Sequence, residues 1–205
     1  MFYLLWGLEI LILWHIVCYS NGMKKHNLAF IDLETTGLFP EKHEIIEIGV
    51  VVAKHIRRDG KGPALEKIEE FDIKVKPQRI TDADPAALDV NGYNDADWLF
   101  ASDLKSAMQV FADKTEGANM VAQNVSFDAG FLDKAFFLTG VENKMKRFRI
   151  DLLSIYFAKT YDETETYRFN LASMCERFGV ENLKAHTALS DARAAFEVYK
   201  KLLVA

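Results

Sequence analysis

Asp32 and Glu34 stand two residues apart at the end of an apolar run, Asn27-Leu28-Ala29-Phe30-Ile31, and directly before Thr35-Thr36-Gly37. In a β-strand, side chains at i and i+2 face the same way, roughly 6.5–7 Å apart along the chain. Two carboxylates this close beside apolar neighbours are costly unless a cation offsets their repulsion and desolvation. The pair therefore reads as half of a site for a hard metal ion, and such a site suggests phosphate chemistry. Thr-Thr-Gly ends the strand and lets the backbone turn tightly beside the acids.

Two further acidic positions fit the same chemistry. In Gln123-Asn124-Val125-Ser126-Phe127-Asp128, Ser126 is a good helix N-cap, and Asp128 then lies in the first turn. It shares a helix face with Phe131, Leu132 and Ala135, an unusual place for a carboxylate, although an acid there also complements a helix N-terminus. In His186-Thr187-Ala188-Leu189-Ser190-Asp191, Thr187 as N-cap leaves His186 in the preceding loop. Asp191 then falls one turn inside, at the border of an apolar stripe. Taken singly, these are a loop histidine and a helix-start carboxylate. Together they set an imidazole beside a fixed acid.

The elements that must position these groups follow from periodicity. Strands are predicted over 27–33, Glu44–Val52 and Ile68–Val75, with a hairpin turn at Arg57–Pro63 joining the last two. A short helix is expected at Pro85–Leu88, and a longer one from a cap at Asn94 or Asp95 towards Lys114. Then come a strand at Asn119–Ala122, a helix at Ser126–Leu138, and a strand at Arg147–Ile150. Asp151 is expected to cap the next helix, and Asn170–Phe178 to form another that stops at Gly179. The last helix carries Ala192, Ala195, Phe196, Tyr199, Leu202 and Leu203 on one stripe. Three early strands followed by alternating helices and strands predict a mixed α/β sheet.

Composition bounds the rest. Of 205 residues, 50% are hydrophobic and 27% charged, which suits one domain with a sizeable core. A net charge of −5 argues against a protein that coats nucleic acid through a global basic field. Cys18 and Cys175 lack ligand-like spacing, so no disulfide framework or thiolate zinc site is indicated, and a reducing, cytoplasmic setting is expected. Residues 1–22 differ from 23–205. Phe2–Tyr19 is almost wholly apolar, broken by Glu9 and His15, and would span about 27 Å as a helix. Three readings stay open: a membrane tether, with Lys24 and Lys25 keeping the following domain cytoplasmic; a true start at Met23; or a helix that docks on a partner.

The three acidic motifs in this order resemble the DEDDh group of 3′–5′ exonucleases, which includes proofreading subunits of bacterial DNA polymerase. Asp-x-Glu-Thr-Thr-Gly stands at Asp32–Gly37, an Asn followed by Phe-Asp at Asn124 and Phe127-Asp128, and His-x4-Asp at His186 and Asp191. The resemblance implies a ribonuclease H-like fold, a mixed five-stranded sheet flanked by helices. It implies that Asp32, Glu34, Asp128 and Asp191 hold two Mg²⁺ or Mn²⁺ ions and that His186 is the general base. By the same analogy, backbone groups at Thr35 and Thr36 and the Gly37 turn meet the terminal sugar and phosphate. Leu38 would wedge against the last base, with Asn124 and Phe127 bordering the site. The implied partner is the 3′ end of single-stranded DNA or RNA. The chain ends fourteen residues after Asp191, so a polymerase-docking segment is not expected. Phe39, Tyr93 and Phe169 are further stacking candidates. The basic stretch Lys144–Arg149 could guide a phosphate backbone or simply be solvated.

Overall fold

The computed structural model of the chain describes residues 26–57, 63–163, 168–182 and 185–204. The expectations for the apolar front end and for the tip of the first hairpin fall outside these residues. Among the described residues, no helix is long and apolar enough to cross a membrane.

Five strands form one mixed sheet: β1 (Leu28–Thr35), β2 (Ile45–Arg57), β3 (Pro63–Lys74), β4 (Asn119–Ala122) and β5 (Arg149–Asp151), in the order β3-β2-β1-β4-β5. β1 to β3 form an antiparallel meander, whereas β4 and β5 join parallel to β1 through helical crossovers. Among the described residues, six α-helices flank the sheet: α1 (Pro85–Asn91), α2 (Leu104–Lys114), α3 (Val125–Thr139), α4 (Leu152–Lys159), α5 (Leu171–Phe178) and α6 (Ala188–Leu202). This is the ribonuclease H-like architecture that the motifs imply.

Central β1 is buried on both faces, which is why it reads as an unbroken apolar run. Ala29, Ile31 and Leu33 enter a core with α2 and α3. Leu28 and Phe30 enter a second core with α4, α5 and α6, where Phe196 and Tyr199 pack edge-on against Phe30. Asp32 and Glu34 share the parity of Leu28 and Phe30, so they project to the α6 face.

The β2–β3 hairpin is longer than expected, with strand pairing continuing past Val52 to Arg57 and starting at Pro63 rather than Ile68, and two helix starts also differ from the sequence expectation. Residues 94–100 form turns, not the start of a helix. Buried Trp98 donates to the Ile46 carbonyl, and Ser102 exchanges backbone bonds with Lys74 and Lys76, which pins an extended step. The helix begins only after Asp103, whose carboxylate caps the Ser106 amide. At α3 the N-cap position belongs to Asn124, not Ser126. Asn124 adopts a left-handed conformation, and Asp151 takes the amides of Asn124 and Val125. Asp151 also caps α4 as expected.

Candidate active site

β1 outruns its parallel neighbour. Pairing with β4 covers only Leu28 to Phe30, so the edge of β1 beyond Ile31 is left to another partner. Asp128 fills that role: its Oδ1 accepts from the Leu33 amide at 3.1 Å, between the two motif acids. Asp128 is 3% exposed, held by α3 from the opposite sheet face. Its place beside Phe131, Leu132 and Ala135, which reads as anomalous in sequence, is the means of bringing a carboxylate onto the β1 edge.

On the other face, α6 carries Asp191 towards Asp32 and Glu34. One carboxylate oxygen from each of these three lies within 4.8 Å of the others. That approach depends on Gly49, which sits opposite Asp32 in the β1–β2 register. A Cβ at Gly49 would fall 2.0 Å from the Ala188 carbonyl carbon and 2.2 Å from the Leu189 nitrogen. The first turn of α6 therefore rests on bare backbone. A lone glycine in the β-branched run Ile45–Val52 is a known sign of close backbone approach, so a signal for this residue was present in the sequence.

The loop before α6 is tied to the same acid. Asn182 Nδ2 donates to Asp191 Oδ1, and Ser190 Oγ donates to Asn182 Oδ1 at 2.7 Å. His186 is exposed, has φ +67°, and donates its amide to Asp191 Oδ2 at 3.2 Å. Non-glycine residues seldom adopt such a conformation. Nothing in local sequence marks Asn182 as a partner of Asp191.

Asp32, Glu34, Asp128, Asp191 and His186 line one cleft of about 220 Å³ together with Leu33, Gln123, Asn124 and Phe127. Among the described residues, no lysine or arginine lines it. Burial, then the charges of Asp128, Asp191, Glu34 and Glu47, push the Asp32 carboxyl well above the usual range. Burial, with Asp191 and Glu47, raises Glu34 to about 8. Burial also takes Asp128 to about 8, against the lowering effect of backbone amides that include Leu33. Acids crowded to this degree, with no lysine or arginine among the described lining residues, suit a bound cation. An all-oxygen donor set fits Mg²⁺ or Mn²⁺ rather than a thiophilic ion.

The Thr-Thr-Gly turn stands beside the cleft rather than within its lining. Thr35 and Thr36 are buried; Thr35 Oγ1 donates to the Gly37 carbonyl at 2.7 Å, and Glu44 donates its amide to Thr36 Oγ1. The Thr36 amide and carbonyl bond to Glu44 and Asp84, and the Thr35 carbonyl accepts from Asn91. These backbone groups are thus engaged within the protein. The His43 ring packs so closely on Gly37 that a Cβ there would come within 2.6 Å of it. Leu38, 66% exposed, and Phe39 project from the turn. Tyr93 stacks near Trp98 instead of lining the cleft.

Comparison with known proteins agrees with this geometry. Residues 29–199 match the RNase_T family, described as exonuclease. The DNA polymerase III subunit epsilon of Salmonella typhimurium is 33% identical over 177 residues, which cover 82% of this chain and 68% of that protein. In structure, Escherichia coli exonuclease I in complex with an oligonucleotide superposes with a TM-score of 0.70 at 17% identity, over 87% of this chain and 41% of that one. A 3′-exonuclease solved for its recognition of a histone mRNA stem-loop gives 0.68 at 17% identity, over 96% and 71%. The fold, the family match and the three motifs gathered at one cleft together make this chain a member of the DEDDh 3′–5′ exonuclease family.

Proposed function

We propose that this protein is a metal-dependent exonuclease that hydrolyses the phosphodiester bond at the 3′ end of single-stranded nucleic acid, releasing nucleoside 5′-monophosphates. The observation that carries this reading is the cluster of Asp32, Glu34 and Asp191, with Asp128 and His186 lining the same cleft.

Asp32, Glu34, Asp128 and Asp191 would hold two divalent ions. Bound there, such ions supply charge stabilisation for the scissile phosphate and a lowered pKa for the attacking water. His186, in its neutral form, accepts the proton of that water at a ring nitrogen. The water oxygen bonds to phosphorus as the P–O3′ bond breaks, so the phosphate leaves on the terminal nucleoside and the freed O3′ takes a proton from solvent to become the new 3′ hydroxyl. Exposure and its bond to Asp191 suit His186 to this work, since an imidazole that must shed protons needs access to water. Asn124 and Phe127 border the terminal nucleotide. The Thr35-Thr36-Gly37 turn, stiffened by its internal bonds, flanks the terminal nucleotide at the rim of the cleft, and Leu38 wedges against the last base.

Labelled single-stranded DNA and RNA, incubated with Mg²⁺, with Mn²⁺ or with chelator, test the proposal. Stepwise shortening from the 3′ end with release of 5′-monophosphates, abolished by chelator, is the expected result. Endonucleolytic cuts, or cleavage indifferent to metal, would overturn it. The same assay decides between DNA and RNA.

A further inference from the structure

Beyond the cleft, three aromatic side chains meet on the surface where α4 ends. Phe157, Tyr161 and Phe169 are 52%, 77% and 45% exposed. Phe157 lies 6.1 Å from Tyr161 and 5.8 Å from Phe169 between ring centroids. Phe169 also sets an edge-to-face contact at 5.8 Å with fully buried Tyr156, which roots the group in the core. Large aromatic side chains held together with about half or more of each exposed to water forgo the burial that ordinarily justifies them.

The patch is continuous with the cleft. Gln123 lines the cleft and donates from Nε2 to the Phe169 carbonyl at 3.4 Å. Asp151, at the start of α4, holds Asn124 and Val125 of the cleft wall. From there α4 runs only about 12 Å before its end. A strand whose 3′ terminus sits on the carboxylates must lead its preceding nucleotides away over neighbouring surface. With a net charge of −5, the protein has no global field to hold them.

The geometry points to Phe157, Tyr161 and Phe169 as a stacking platform for unpaired bases upstream of the terminal nucleotide. The inference rests on the proposed reading that the substrate is single-stranded nucleic acid. Every base offers a π-face, so such a platform grips strands with little sequence preference. Arg168, exposed beside Phe169, adds a positive charge for the adjoining phosphate. The platform gives the enzyme purchase on strands long enough to reach it, and less on very short ones.

The test measures binding apart from cleavage. Fluorescence anisotropy of the full chain in chelator, with labelled nonamers of thymidylate and of adenylate, should show Kd rising about tenfold or more in Phe157→Ala/Tyr161→Ala for both probes. Tyr161→Phe, which keeps the ring, should stay within about twofold of the parent. An unchanged Kd in a double variant whose melting temperature matches the parent would overturn the platform. So would an equal loss in Tyr161→Phe, because the hydroxyl rather than the ring would then be responsible. Tight binding by the parent that is lost in the double variant, without any cleavage in Mg²⁺ or Mn²⁺, would instead sink the nuclease reading while supporting the platform.

Discussion

Asp128 and His186 approach the same pair of β1 carboxylates from the two faces of the sheet, and they are held in contrary ways. Asp128 is buried in the first turn of a fifteen-residue helix, with its oxygen on the Leu33 amide. His186 is exposed on left-handed backbone, and its backbone N–H donates a hydrogen bond to Asp191. The difference follows from the chemistry each would do. A metal-holding carboxylate gains from a fixed, desolvated position, since reorganisation would cost affinity. A general base must exchange its proton with solvent each turnover, which a buried imidazole would hinder.

The largest effect is expected on the anchored side. Asp128→Asn keeps an acceptor for the Leu33 amide but removes an acid whose ionised form burial disfavours. Activity should fall by about a thousandfold or more, and the metal-free protein should melt higher than the parent. A lower melting temperature would show that the charge itself holds the edge of β1. His186→Ala should cost about a hundred- to ten-thousandfold in kcat with the melting temperature little moved. Loss of fold there would erase the distinction between the two sides.

Gly49→Ala probes the hinge of the comparison, because it acts on neither group directly. The added methyl must lift the first turn of α6, and with it Asp191 and the His186 loop. A displacement of about 1 Å would lower activity about a hundredfold, and overpacking would cost about 1–3 kcal/mol in stability. Parent-like activity would mean that α6 tolerates the shift.

Titration of the cluster gives a smaller, graded effect. Glu34 and Asp128 have folded-state pKa values of about 8, above those of ordinary carboxylates. Between about pH 4 and about pH 8 the folded protein therefore holds protons that the unfolded chain has released, so metal-free stability falls as pH rises. Divalent ions bind the ionised form, so their stabilising effect should grow over the same range. Melting curves with and without Mn²⁺ at about pH 6 and about pH 9 should show the metal-free curve falling and the gap widening. A constant gap would argue against these acids as ligands. The smallest effect is expected for Arg193→Ala. Arg193 makes a two-point bond to Glu70 on β3, with Nη2 to Oε1 at 2.6 Å, and the pair lies at the surface. Its loss should change stability by about 1 kcal/mol or less and leave activity intact, because α6 is seated by Gly49 and its apolar stripe.

The sequence by itself determined the fold class, the strands around both motif acids, the cap at Asp151, the helix stop at Gly179, and the three acidic motifs. Each rests on local chemistry: period-two or period-3.6 patterning, a capping side chain, or carboxylates whose spacing is costly without a cation. Only the tertiary structure decided how those motifs meet. That β4 stops short and frees the Leu33 amide for Asp128 is a matter of strand length and register, which no single segment encodes. The turns at 94–100, set by Trp98 reaching the Ile46 carbonyl, and the Asn124 cap served by Asp151 are likewise long-range bonds that override local preference. The seating of α6 on Gly49 and the grip of Asn182 on Asp191 belong to the same class. They arise from packing between elements distant in the chain, and packing is where a site of separate acids becomes one cleft.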